Sequence, residues 1–159
     1  MVKKLGSLLM TVWLTLSFQS CAPVETKEGK SILTTTSMSA DMLRTITPAS
    51  IRVDGLMGPG TDPHLYKPTV GDMERIDRSE QVVISGFHLE GKTAEVLEGL
   101  KDQKQVYPLT AGLAVQDAIN ETAFQDGVDP HFWLDVALWK KATEGASQRL
   151  MDWYPGSSD

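Results

Sequence analysis

Short apolar segments rich in β-branched residues alternate along this chain with segments of helical periodicity. The strand-like segments are 31–36, 51–57, 81–85 and 105–109, and the helix-like segments are 37–46, 69–78, 89–100 and 132–153. Connections of this length between strands are typical of right-handed crossovers, so the alternation predicts an α/β fold with a parallel, four-stranded, doubly wound sheet. In such sheets ligands bind beyond the carboxyl ends of the strands.

Capping and breaking residues mark the ends of the predicted elements. Ser37 or Ser39 can cap the first helix, and Pro48 ends it. Thr69 precedes the second helix with Asp72 three residues later, which is the spacing of a capping box. Pro108 interrupts the last strand, which is tolerated best at the edge of a sheet.

The N-terminal residues have the composition of an export signal. Residues 1–20 combine two lysines with a charge-free apolar stretch that is shorter than the roughly 20 residues needed to span a bilayer. Cys21, the single cysteine, follows directly and is predicted to be a lipid attachment site. A buried, inert thiol behind a shifted signal boundary is the alternative, because Phe18 and Gln19 depart from the usual lipoprotein pattern. Residues 21–30 are predicted to be a flexible tether.

The charge balance restricts the choice of partner. The chain has 159 residues with a formal net charge of -6, and its isoelectric point is near 5.0. No basic patch is available to neutralise phosphates, so a nucleic-acid partner is excluded. The acidic balance is compatible with a cation-binding protein but does not establish one.

All three histidines lie in predicted loops that follow strands or precede the last helix. His64 follows the second strand, His88 follows the third, and His131 precedes the last helix. The tripeptide Asp-Pro-His occurs twice, at 62–64 and 129–131, each time followed by an apolar residue and an aromatic one. The repetition on separate loops at one edge of a sheet predicts a shared metal site.

The residues around each histidine suit a transition-metal ligand. Such a site needs neutral imidazoles held about 2.0–2.1 Å from one point. Proline at 63 and 130 stiffens each loop just before its histidine. Asp62 and Asp129 can accept local backbone N–H groups or orient an imidazole. Tyr66 and Trp133 are candidates to shield the site from water.

Two further residues remain as possible participants. His88 is either a third ligand or, as we favour, a residue in contact with the ligands or packed under a neighbouring loop. Glu90 is expected to begin a helix, where its charge meets the positive end of the helix dipole. Isolated histidines after proline are commonly surface residues, which is the alternative for each. No phosphate-binding glycine motif and no nucleophile elbow is present.

Three motifs together resemble the manganese/zinc group of ABC-transporter solute-binding proteins. They are Gly-Leu-Met-Gly-Pro-Gly-Thr-Asp-Pro-His-Leu-Tyr at 55–66, Gly-Phe-His-Leu-Glu at 86–90 and Asp-Pro-His-Phe-Trp-Leu-Asp-Val at 129–136. The resemblance implies two α/β lobes joined by one long helix, with the metal between them. It also implies that His64 and His131 are the metal ligands of the first lobe and that His88 is not a direct ligand. Residues 31–128 would be that lobe, and 129–159 the ligand loop and the start of the connecting helix.

The resemblance implies an exported, lipid-anchored receptor that delivers zinc or manganese to an ABC transporter permease. Since members are usually about twice this length, we expect a truncated chain that lacks the second lobe. Residues 113–128 are acidic without histidine, which favours manganese or a general divalent metal, whereas two imidazoles suit zinc. A metal-containing surface adhesin and, less favoured, a metalloenzyme are the alternatives; no catalysis is expected.

Overall fold

The central feature of the fold is a four-stranded parallel sheet. A computed structural model describes residues 29–100, 102–114 and 127–156. The strands are β1 (Ser31–Thr34), β2 (Arg52–Gly55), β3 (Gln81–Ile84) and β4 (Gln105–Pro108), in the order β2-β1-β3-β4. Every pairing is parallel. The predicted doubly wound α/β sheet is therefore confirmed.

In the part of the chain that the structure describes, four α-helices cover the two faces of the sheet. They are α1 (Ser37–Ile46), α2 (Val70–Arg78), α3 (Gly91–Glu98) and α4 (Val136–Trp153). Successive residues of β1 point to opposite faces: Ile32 packs in one apolar cluster with residues of α1 and α4, and Leu33 packs in another with Ile76 of α2 and Leu97 of α3. Both faces are thus buried, as a parallel sheet requires.

The beginnings of α1 and α2 are fixed by side-chain caps. Thr36, not the predicted Ser37 or Ser39, caps α1, and its side chain accepts from the backbone N–H of Ser39. The predicted capping box between Thr69 and Asp72 is present at α2. Helix α1 ends at Ile46, two residues before Pro48, as predicted.

The last two helices begin later than the sequence predicts. Helix α3 starts at Gly91 rather than Leu89, because residues 86–88 turn with positive φ before the helix can form. Residues Phe132–Leu134 form a separate 3-10 turn, and α4 begins only at Val136. Asp135 caps α4 by accepting from the N–H groups of Ala137 and Leu138.

The predicted features at the N-terminus lie mostly outside the described residues. The signal at 1–20, Cys21 and the tether up to residue 28 all fall there, as do residues 115–126 of the acidic segment. Within the described ranges, no helix has the length and apolar character needed to cross a membrane. The boundaries at residues 128 and 129 remain a prediction.

Candidate metal site

The loop after β2 holds His64 through its own aspartate. The carboxylate of Asp62 accepts the backbone N–H of His64 at 2.9 Å, which closes a short turn around Pro63. The loop also rests against the start of α3: a Cβ at Gly91 would lie 3.1 Å from the carbonyl oxygen of His64. A side chain at position 91 would therefore push against this loop.

In the segment before α4, Asp129 contacts both the backbone and the ring of His131. Asp129 accepts the backbone N–H of His131 at 2.9 Å and also contacts its Nδ1 at 2.6 Å. A carboxylate can only accept, so Nδ1 carries the proton and Nε2 of a neutral imidazole presents its lone pair. The ring of Trp133 lies 5.1 Å from that of His131 in an edge-on arrangement.

The two imidazoles meet at the carboxyl edge of the sheet. Nε2 of His64 lies 3.3 Å from Nε2 of His131, and the ring centroids are 5.3 Å apart. Two nitrogens bound at 2.0–2.1 Å to one tetrahedral metal ion are about 3.3–3.4 Å apart. The separation of the two nitrogens therefore matches that of two ligands on one metal ion. Because Nδ1 of His131 holds the proton, a hydrogen bond between the two rings requires Nε2–H of His64 as the donor and Nε2 of His131 as the acceptor.

The electrostatics of Asp129 favour its charged form. Burial raises the pKa of the Asp129 carboxyl, but hydrogen bonds from the backbone and ring of His131 act in the opposite direction. Together with the positive charge of His131 and His64 in their protonated forms, they hold the pKa of Asp129 below its ordinary value. An ionised carboxylate on Nδ1 raises the basicity of a ligating imidazole.

The other predicted residues are not part of this pair. His88 is exposed, and its predicted role beside the ligands or under a neighbouring loop stays a prediction. Within the described residues, no three side chains of His, Cys, Asp or Glu are grouped to hold a metal ion. Tyr66 is half-buried, and its hydroxyl donates to Asp72 at 2.7 Å rather than facing the histidines.

Glu90 lies at the start of α3, as predicted, but its carboxylate forms hydrogen bonds away from the helix end. Its side chain is 0% exposed and makes no capping hydrogen bond to the helix. The carboxylate accepts instead from Thr35 and from the backbone of Ser85 and Gly86, so it orients neither histidine directly. Sequence reasoning missed the part of Thr35 and Ser85, because neither periodicity nor motif spacing signals a tertiary contact of this kind.

Comparison with known proteins defines the class of this lobe. The family model described as "Zinc-uptake complex component A periplasmic" (ZnuA) matches residues 32–159. The zinc-binding protein TroA of Treponema pallidum is 34% identical over 134 residues, and the manganese-binding lipoprotein MntA of Bacillus subtilis is 35% identical over 133 residues. A solved structure of periplasmic zinc-binding TroA superposes with a TM-score of 0.76 at 32% identity, covering 82% of this chain and 46% of that one.

The fold is that of one part of the solved zinc-binding TroA, an α/β lobe. The chain belongs to the ZnuA family, which confirms the resemblance seen in its three motifs. The alignments cover 82% and 80% of this chain, which spans 42% of the length of both TroA and MntA. Both relatives are named as binding proteins and neither as an enzyme.

Proposed function

We propose that this chain is the metal-binding lobe of an extracytoplasmic receptor that presents a divalent transition metal, zinc or manganese, to an ABC importer. His64 and His131 are its ligands. The observation that carries the proposal is the 3.3 Å separation of the two Nε2 atoms. It matches two corners of a tetrahedral coordination sphere.

The chemistry required is binding and release, without catalysis. Nε2 of His131 is prepared as a donor because Asp129 fixes the proton on Nδ1. His64 is exposed and faces solvent, so cargo can enter from that side. Two imidazoles fill two positions of a metal ion, and water or further protein ligands fill the remainder. In the resembled family those ligands come from a second lobe.

The partners and location follow from family membership and from the sequence outside the described residues. We propose that the chain is exported, that Cys21 carries the lipid that holds it at the membrane, and that it docks on the permease of an ABC transporter. MntA of Bacillus subtilis, 35% identical to this chain, is named a lipoprotein, which supports the anchor. The relatives are named for zinc in one case and manganese in the other, so both metals are proposed as cargo.

Isothermal titration of the 159-residue chain with Zn²⁺ and Mn²⁺ tests the metal site. We expect zinc to bind more tightly than manganese, because imidazole affinity rises along the divalent series from manganese to zinc. His64→Ala combined with His131→Ala should weaken zinc binding by more than about 100-fold, beyond the loss that outer hydrogen-bond partners cause.

The third histidine provides the matched control. His88 is exposed and outside the pair, and its backbone has a positive φ of 59°. His88→Asn removes the imidazole with a residue type that tolerates this conformation, so it reports adventitious binding by a surface imidazole. We expect this variant to bind zinc as the unaltered chain does. A double variant at 64 and 131 that keeps the original zinc affinity overturns the proposed site.

A further inference from the structure

The segment between β3 and α3 has an unusual backbone. We call residues 85–90 the β3–α3 loop. Gly86 has a φ of 98°, and the next two residues, Phe87 and His88, have φ values of 49° and 59°. Non-glycine residues adopt this left-handed region uncommonly, and two in succession require contacts that hold them there.

Glu90 supplies those contacts from inside the protein. Its Oε1 accepts from Thr35 Oγ1 at 2.6 Å and from the backbone N–H of Ser85 at 2.5 Å, and its Oε2 accepts from the N–H of Gly86 at 3.3 Å. Thr35 directly follows β1, and Ser85 directly follows β3. One buried side chain therefore joins the ends of the two central strands to the β3–α3 loop.

The loop held in this way touches both histidine segments. On one side, the ring of Phe87 packs edge-on against Phe132, the residue after His131, with centroids 6.2 Å apart. Phe132 is buried, so this contact fixes the position of the residue that directly follows His131. On the other side, Gly91 directly follows Glu90 and lies against the carbonyl of His64.

We propose that Glu90 is a positioning residue for the metal site: by holding the β3–α3 loop between the two segments, it sets the separation of His64 Nε2 and His131 Nε2. The inference rests on the proposed function, since it concerns the same histidine pair. Glu90 touches neither imidazole and acts through Phe87 and Gly91. Without its three hydrogen bonds the loop relaxes from its left-handed conformation and the two histidines lose their common support.

Glu90→Gln is the direct test in the 159-residue chain. The substitution keeps the shape of the side chain but replaces one carboxylate oxygen with an NH₂ group. That group cannot accept a hydrogen bond, so at least one of the three donors around Glu90 loses its acceptor. We expect zinc affinity to fall at least about 10-fold, as for loss of an outer partner of a ligating histidine. With saturating Co²⁺, the visible absorption bands should shift, because they report ligand geometry. A role in stability alone would leave the bands of the folded, saturated protein unchanged.

Glu95→Gln is the matched control, because Glu95 lies on the same helix and is exposed, with Lys92 as its ion-pair partner. It should bind zinc and Co²⁺ like the unaltered chain. If Glu90→Gln does not fold, Thr35→Val replaces it, since this change removes only the hydroxyl donor to Glu90. Thr35→Val should weaken zinc binding in the same direction.

Unchanged affinity and an unchanged Co²⁺ spectrum in folded Glu90→Gln, or in Thr35→Val where that variant has to replace it, overturn the inference. The histidine double variant separates this result from failure of the proposed function. If the histidine double variant loses zinc binding while Glu90→Gln binds zinc fully, only the positioning role is contradicted. Full binding in the histidine double variant contradicts the metal site itself.

Discussion

The aspartates of the two Asp-Pro-His tripeptides make different contacts although the tripeptides are identical in sequence. Asp62 is exposed and contacts the backbone of His64, whereas Asp129 contacts both the backbone and the ring of His131. The difference arises because the second tripeptide lies against the 3-10 turn before α4, where the ring of Trp133 also packs on His131. Only the second aspartate can tune an imidazole.

Asp129→Asn should therefore weaken zinc binding by about 10- to 100-fold. The amide can still accept the backbone N–H, but it no longer places a full negative charge on Nδ1. Asp62→Asn is the matched control, since its amide oxygen can keep the one contact that Asp62 makes, and we expect zinc affinity to change little. Equal losses for the two variants, measured by calorimetric titration, would refute the separate roles.

At this scale the sequence predicted the convergence of His64 and His131 but not the contacts around them. His64 follows a parallel strand and His131 lies between the last strand and the last helix, so the topology predicts both at the carboxyl edge of the sheet. The left-handed Phe87 and His88 carry no such signal, because residues other than glycine adopt that conformation uncommonly. Their geometry depends on Glu90, whose burial is a property of the assembled lobe.

Among the secondary-structure elements, helix α2 depends on a capping residue that titrates. Burial raises the pKa of the Asp72 carboxyl, but hydrogen bonds from Thr69 and Tyr66 lower it. With the positive charge of Arg75, they bring the pKa of Asp72 below its ordinary value. A lowered pKa means that ionised Asp72 stabilises the fold above the unfolded-state value of about 3.9, and that this contribution is lost as the pH falls through the folded-state pKa.

Asp72→Asn should lower the free energy of unfolding by about 1–3 kcal/mol at pH 7, as for hydrogen bonds to a charged group. The difference from the unaltered chain should shrink as the pH falls below about 4. Urea unfolding at a series of pH values measures it. Asp77→Asn, an exposed position on the same helix, should change stability by no more than about 0.5 kcal/mol. A difference in free energy of unfolding between Asp72→Asn and the unaltered chain that stays constant down to pH 3 would contradict a stabilising role of ionised Asp72.

The elements themselves were largely predictable, and the errors lie at their ends. Short apolar segments rich in β-branched residues identified the four strands, and Pro108 ends β4 at the edge of the sheet. The start of α4 was predicted too early because Phe132 and Leu134 share helical spacing with the residues that follow. The periodicity of side chains does not distinguish a 3-10 turn from the first turn of an α-helix.

For the whole molecule, the histidine pair lies on an open face. Exposed apolar residues flank both ligands in the sequence: Leu65 follows His64, and Leu134 and Val136 follow His131 closely. Large apolar side chains around a polar site are typical of a surface that takes a partner. The resemblance of the three motifs implies a second lobe with the remaining ligands, and we propose that this lobe is the partner of the surface.

We propose that one metal ion binds between His64 and His131. Crystals of the 159-residue chain grown with Zn²⁺, with anomalous data collected at the zinc absorption edge, would locate that ion. A zinc ion shared by the pair should give a strong peak about 2.0–2.1 Å from Nε2 of both residues. A strong zinc peak elsewhere, with no density between these two nitrogens, would contradict it.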